Sequence, residues 1–220
     1  MIVMPSNNAK GIVHYWAGKG YPVGWLFTPE KGSVREPVPW IPYAVDNGRF
    51  AVWSSGKDWN ERNFLTLLDY YNETIVKPRF VNVPDSVGDA NETKRMWEKW
   101  YPILTQSYDL TWSFCVQDGM TPADVPSEAD VVFIGGTMEW KLRNLTMWTD
   151  AFNRVHVGAV NTLKTLLRCK QLGVESCDGT GWFRGPKMTD TLHRYFKIQS
   201  GEEKLPDQIE LCLSSPTQMR

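Results

Sequence analysis

Short apolar runs recur along this chain, and most are followed by a longer stretch in which apolar residues return at helical spacing. The runs Ile2-Val3-Met4, Val23-Gly24-Trp25-Leu26-Phe27, Tyr43-Ala44-Val45, Arg79-Phe80-Val81-Asn82-Val83, Leu110 to Val116, Val131-Val132-Phe133-Ile134, Val155-His156-Val157 and Val174 to Cys177 read as eight strands. Helices are predicted over 9–17, 58–71, 89–104, 138–152 and 162–172, with a short one near 122–125. Asp58 is the expected N-cap of the second of these. The stretch from Thr28 to Pro42 is rich in Pro and Gly and reads as a loop, so the unit after the second strand lacks its helix.

Strands that alternate with helices imply a parallel sheet. Eight such units close into a (β/α)8 barrel, and 220 residues lies near the short end for that fold. An open doubly wound sheet is the alternative. No composition shift, repeat or low-complexity tract divides the chain, so residues 1–220 are expected to form one domain. Residues 181–220 would supply a helix near 188–198 and a tail.

In a parallel barrel, reactive groups gather at the C-terminal strand ends. Here those ends carry Asp46, Asp85, Gln117, Gly135, Gly136, Gly158 and Asp178. Asp178 is the centre of the pattern. It precedes Gly179-Thr180-Gly181, glycines that leave room for a bulky substrate, and Asp46 precedes Asn47-Gly48 in a similar setting. Two carboxylates suit a glycosidic-bond reaction, because one can trap an oxocarbenium-like centre while the other moves a proton. Asp85 can accept from the N1–H and N2–H groups of a guanine. The Gln117 amide and the Gly135-Gly136 backbone can donate to its O6 and N7. Taken singly, each has a plainer reading as a turn former, a cap or a core residue, and His156 reads as a satisfied core or second-layer histidine.

Composition narrows the picture slightly. The formal net charge of −1 gives no global basic signature, although 24 Lys and Arg leave scope for a local patch. The 11 Trp exceed what a core alone requires and suit surfaces that stack on planar rings. The four cysteines, Cys115, Cys169, Cys177 and Cys212, have no C-x-x-C spacing, so no metal site is expected and the thiols read as reduced. No signal-peptide pattern or membrane-length apolar run occurs, and the expectation is a cytoplasmic protein with no membrane partner.

The strand-end segments together carry a family resemblance. Ala44-Val45-Asp46-Asn47-Gly48-Arg49-Phe50, Val83-Pro84-Asp85-Ser86-Val87-Gly88-Asp89, Val116-Gln117-Asp118-Gly119, Phe133-Ile134-Gly135-Gly136-Thr137, Val155-His156-Val157-Gly158 and Cys177-Asp178-Gly179-Thr180-Gly181 resemble, in order, the tRNA-guanine transglycosylase superfamily. The chain is most similar to the compact phage and bacterial branch, the DNA 7-deazaguanine transglycosylases. The resemblance implies a (β/α)8 barrel that exchanges guanine in nucleic acid for a free 7-deazaguanine base. It implies Asp178 as nucleophile, Asp46 as general acid/base, Asp85 and Gln117 as base-reading side chains, and Gly135 and Gly136 as backbone donors. Asn47 and Phe50 would line the pocket, Phe50 as a stacking face.

The family's tRNA-modifying members carry a C-x-C-x-x-C…His zinc site in a C-terminal extension, and that spacing is missing here. The departure favours DNA over tRNA as partner and leaves no expected cofactor. Asn47 stands where many relatives have Ser, and Arg49 stands where tRNA-type relatives have Gly. Lys57, Arg143, Arg184 and Lys187 follow strand ends and are the candidate contacts to the nucleic-acid backbone. A hydrolytic glycosidase using the same aspartates and a non-catalytic base-binding barrel are the competing readings.

Overall fold

The computed structural model describes residues 1–6, 11–29, 36–183 and 186–205; of Phe183 and residues 186–188 only the backbone is described. Eight parallel strands form one sheet in the order β1-β8-β7-β6-β5-β4-β3-β2. They are β1 (Ile2–Pro5), β2 (Trp25–Phe27), β3 (Tyr43–Val45), β4 (Val81–Asn82), β5 (Trp112–Val116), β6 (Val131–Ile134), β7 (Val155–Val157) and β8 (Ser176–Gly179). The two edges meet. Val3 bridges Val23 and Ser6 bridges Leu26, both in parallel sense, so the sheet is a nearly closed barrel. Gly24 lies at that seam, where a Cβ would stand 2.4 Å from the Pro42 carbonyl oxygen. The expected (β/α)8 fold is therefore the fold of this chain, and the doubly wound alternative falls.

The two-residue period of the strands sorts side chains into two layers. Met4, Leu26, Ala44, Phe80, Cys115, Val131 and Phe133 pack together as one apolar cluster inside the barrel. Their neighbours Val3, Trp25, Phe27, Tyr43, Val45, Val81, Phe114, Val116, Val132, Ile134 and Val157 point outward into a larger cluster shared with the helices. The inward phase also carries the polar residues Asn82, Ser113, Gln117, His156, Ser176 and Asp178, all buried. Polar groups enclosed by a barrel must find partners: Ser113 donates to Asn82 Oδ1 at 3.1 Å, and the others bond as described below.

The helices are α1 (Ile12–Gly18), α2 (Arg49–Ser55), α3 (Glu61–Glu73), α4 (Ala90–Ser107), α5 (Met138–Ala151), α6 (Leu163–Gln171) and α7 (Pro186–Ser200). Several begin on side-chain caps that satisfy free N–H groups of the first turn. Asp89 accepts from Glu92 N, Thr137 from Trp140 N and Thr162 from Thr165 N. The cap of α3 is Asn60, which accepts from Asn63 N, so Asp58 does not hold the role expected of it. Phe64, Leu67, Leu68 and Tyr71 of α3 are buried, as the periodicity requires.

One helix was not legible in the pattern. α2 begins directly after Gly48, whose φ of 79° starts the turn, and none of its residues is buried. A helix with no buried face leaves no hydrophobic period to read. The C-terminal helix α7 seals the barrel wall, with Phe196 stacked on Tyr21 at 4.8 Å and edge-on to Trp16 at 5.4 Å. Cys115, Cys169 and Cys177 are buried free thiols. Cys212 lies outside the described residues.

Candidate active site

The strand ends hold five of the predicted residues in three hydrogen-bonded groups: Asp178 with His156, Asp46 with Asn82, and Asp85 with Asn47 and Gln117. Asp178 belongs to β8 itself, pairing with Met4 of β1, so the strand runs on past its expected end at Cys177. Being inside the ladder fixes its direction. Ser176 and Asp178 share the inward face, and His156 of β7 pairs with Ser176. His156 Nε2 lies 3.1 Å from Asp178 Oδ2, and its Nδ1 lies 2.8 Å from Ser176 Oγ. The histidine is fully buried, with Phe80 and Phe133 packed on its ring at 5.0 and 4.6 Å. The other carboxylate oxygen, Oδ1, receives only a long contact of 3.4 Å from the Ala159 N–H. Ala159 holds that N–H in place with a φ of 60°, a left-handed conformation costly for a residue with a Cβ.

Asp46 stands at the end of β3 and is half-buried. It accepts from Gly48 N at 3.3 Å and from Asn82 Nδ2 at 3.4 Å. Both bonds are long, and neither offsets the loss of water. Burial, then the negative charges of Asp85 and Asp178, raise its pKa to about 7. A carboxyl group poised there can give or take a proton near neutrality.

Asp85 is buried beyond β4, and both of its oxygens are held. Oδ1 accepts from Asn47 Nδ2 at 2.8 Å, and Oδ2 accepts from Gln117 Nε2 at 2.8 Å. Asn47 also donates to the Val83 carbonyl and accepts from Arg49 N. Gln117 accepts from Gly88 N at 3.1 Å. Burial raises the Asp85 pKa, opposed by its hydrogen bond from Asn47 and by the charge of Arg49. A carboxylate has about four lone-pair positions, so Asp85 keeps capacity for donors on a ligand.

The glycine pair divides. Gly135 N–H bonds the Val116 carbonyl at 3.0 Å and so belongs to the barrel ladder, not to a free donor set. Its missing side chain matters instead, because a Cβ would stand 2.7 Å from Cys115 Sγ and 3.2 Å from Gln117 Nε2. Gly136 has a φ of 72°, and its N–H has no partner among the described residues. Asp118 secures this turn by accepting from both Thr137 N and Thr137 Oγ1 at 2.6 Å.

Other predicted positions lie apart from these groups. Phe50 is 57% exposed on α2, 5.9 Å from the equally exposed Trp53, and does not pack among the base-reading side chains. Arg49 lies over the Trp59 ring at 5.3 Å. Lys57 is exposed. Arg143 is exposed and paired with Glu139 at 2.7 Å. Arg184 and the Lys187 side chain lie outside the described residues. A surface depression of about 270 Å³ along α7, lined by Asp190, His193, Arg194, Lys197 and Glu203, mixes both signs of charge and contains none of the strand-end residues.

His156 read as a core or second-layer histidine, and the β7–β8 register shows that the residue it supports is Asp178. One residue of the site escaped the sequence reading. Lys141 of α5 is buried and donates to the Gly158 carbonyl at 2.7 Å. Burial lowers its pKa, opposed first by the charge of Asp178. A lysine within a helical stretch gives no sequence sign of this. Among the described residues, no group of three or more His, Cys, Asp or Glu could hold a metal ion, and no helix is long and apolar enough to cross a membrane.

No family model and no curated protein matches this chain. Two carboxylates face one strand-end region in unlike environments. Asp46 holds its proton up to about neutral pH, and Asp178 is anchored by one oxygen, the other meeting only the long contact from Ala159 N–H.

Proposed function

We propose that this protein is a DNA transglycosylase that exchanges a guanine in DNA for a free 7-deazaguanine base, such as the 7-cyano form, through a covalent glycosyl-aspartate. The observation that carries the reading is the unlike setting of the two aspartates, Asp46 with its pKa raised to about 7 and Asp178 held chiefly through one oxygen. In the first displacement Asp178 attacks C1′ of the target nucleotide. The C1′–N9 electron pair leaves with guanine, which takes a proton from Asp46. In the second, the incoming base attacks C1′ through N9 and gives its proton to Asp46, and the C1′–O electron pair returns to Asp178. Two displacements at one carbon give retained configuration and ping-pong kinetics.

Asp85, with Asn47 and Gln117 behind it, is a preset acceptor for the N1–H and N2–H edge that guanine and 7-deazaguanines share. The Gly136 N–H is the remaining backbone donor for O6. Such a site takes a nucleotide out of the stack, and the sequence resemblance favours DNA as its source.

The test is base exchange with labelled guanine in duplex DNA. Multiple-turnover release is expected only when enzyme and a deazaguanine are both present, with no more than one guanine per enzyme molecule released when the deazaguanine is left out, and a DNA adduct that survives denaturation is expected with wild type and not with Asp178→Ala. Continued release over many turnovers without a deazaguanine, leaving abasic DNA, would instead make the protein a hydrolytic glycosidase. Full exchange by Asp178→Ala would remove the nucleophile assignment.

A further inference from the structure

We propose that His156 is a positioning residue. It donates its Nε2–H to Oδ2 of Asp178, so that Oδ1 is the oxygen that attacks C1′ and Oδ2 is the oxygen whose charge is held when the carboxylate departs. This rests on the transglycosylase reading of the site. A neutral imidazole carries one donor and one acceptor, and an ionised carboxylate only accepts. With Asp178 Oδ2 at 3.1 Å, Nε2 must carry the proton; the bare Nδ1 then accepts from the Ser176 hydroxyl at 2.8 Å. The opposite tautomer would set a lone pair against the carboxylate. Phe80 and Phe133 clamp the ring, and its full burial denies water either nitrogen.

The arrangement makes the two oxygens of Asp178 unequal. Oδ2 has a buried donor, and Oδ1 has only the long Ala159 contact. In the covalent state Oδ1 is bonded to C1′ and Oδ2 becomes the carbonyl oxygen of an ester. As the second base attacks, the C1′–Oδ1 pair returns to the carboxylate and negative charge grows on Oδ2. A fixed N–H facing that oxygen stabilises the departing group without reorganisation. The donor therefore acts most in the second half-reaction.

Two measurements test this. The chain has three histidines, His14, His156 and His193, so imidazole nitrogens can be assigned by NMR on ¹⁵N-histidine-labelled protein. His156 is expected to carry its proton on Nε2; a bare Nε2 overturns the inference without any reference to activity. The second measurement times guanine release and adduct resolution separately. His156→Phe keeps a ring but no donor and is expected to resolve the adduct about 10- to 100-fold more slowly, so that adduct accumulates. His156→Gln, which can offer an amide N–H near the Nε2 position, is expected to recover much of the rate. Unchanged resolution in His156→Phe overturns the inference, and if that variant does not fold the tautomer decides alone. Failure of the wild type to form any adduct overturns the underlying reading, and this role with it. A bare Nε2 in a chain that does exchange bases overturns this role only.

Discussion

Asn47 Nδ2 lies 2.8 Å from Asp85 Oδ1, and through this bond the residue next to Asp46 holds the proposed base reader at the end of the adjacent strand. Gln117 holds the other oxygen from the next strand. Asp85 is thus set in place before a base arrives. Asp85→Ala is expected to raise KM for the free base by 10-fold or more, because a buried hydrogen bond to a charged group is worth about 1.5–3 kcal/mol. Asn47→Ala should raise it less, since Gln117 remains. Steady-state kinetics with varied base measure both, and an unchanged KM in Asp85→Ala would remove its reading role.

The proton shuttle can be read from its titration. Asp85 and Asp178 each push the Asp46 pKa upward, and together with burial bring it to about 7. Base departure needs the protonated acid, so single-turnover guanine release should fall as pH rises through about 7. Asp178→Asn removes one of the repelling charges. The Asp46 carboxyl carbon, followed by NMR, should then titrate at lower pH than in wild type. An unmoved titration would mean that the two carboxylates do not sense each other.

The same shift has a stability consequence. The folded pKa of about 7 lies above the ordinary value of 3.8, so between those values the folded chain binds more protons than the unfolded one. The stabilising effect of the neutral acid is complete below about 3.8 and is lost as pH rises to about 7. Asp46→Asn should therefore unfold at a higher temperature than wild type at pH 8, with a gap that narrows steadily from pH 7 down to pH 4. A gap independent of pH would contradict the shift.

Lys141 separates stability from activity. Its ammonium is buried, so in Lys141→Met the relief of a desolvated charge opposes the loss of the bond to the Gly158 carbonyl, and Tm should change little. The substitution also frees the Gly158 carbonyl, next to the Ala159 N–H that faces Asp178, and removes a positive charge near that carboxylate. Adduct formation is expected to slow by about 10-fold. A variant that loses stability and keeps its rate would make Lys141 a packing residue.

The strand count, the barrel and the two aspartates were legible because the strands are apolar runs bounded by turn residues. What escaped depends on register. Asp178 read as the residue at the end of a strand that stops at Cys177, and the pairing of β1 with β8 carries the ladder on through Gly179. His156 gained meaning only from its place opposite Ser176. Lys141 reaches the strand ends from a helix, and Gly135 lost its donor role because its N–H belongs to the ladder. α2 was missed because nothing on it is buried. Local pattern gives the phase of each element, and only the pairing between elements says what each phase meets.

Gly179 offers a last check on how the site is held. Its sequence context suggested room for a sugar, but the structure fills that room with protein. A Cβ would stand 2.4 Å from the Val160 carbonyl oxygen and 2.8 Å from Asn161 Oδ1. That neighbour cannot easily yield, because Val160 N bonds the Asp178 carbonyl at 2.7 Å and Asn161 Oδ1 accepts from Gly181 N at 2.9 Å. Any shift that admits the methyl group must drag the backbone of Asp178. Gly179→Ala is expected to cost about 1–3 kcal/mol, or several degrees in Tm, and to reduce the yield of covalent adduct. Gly173→Ala is the matched control. Its φ of 75° makes the substitution strained, but no atom lies within 4 Å of the added Cβ, so it should lower Tm by a similar amount and leave the adduct yield unchanged. Equal adduct yields from two folded variants would show that the Val160–Asp178 contact does not position the nucleophile.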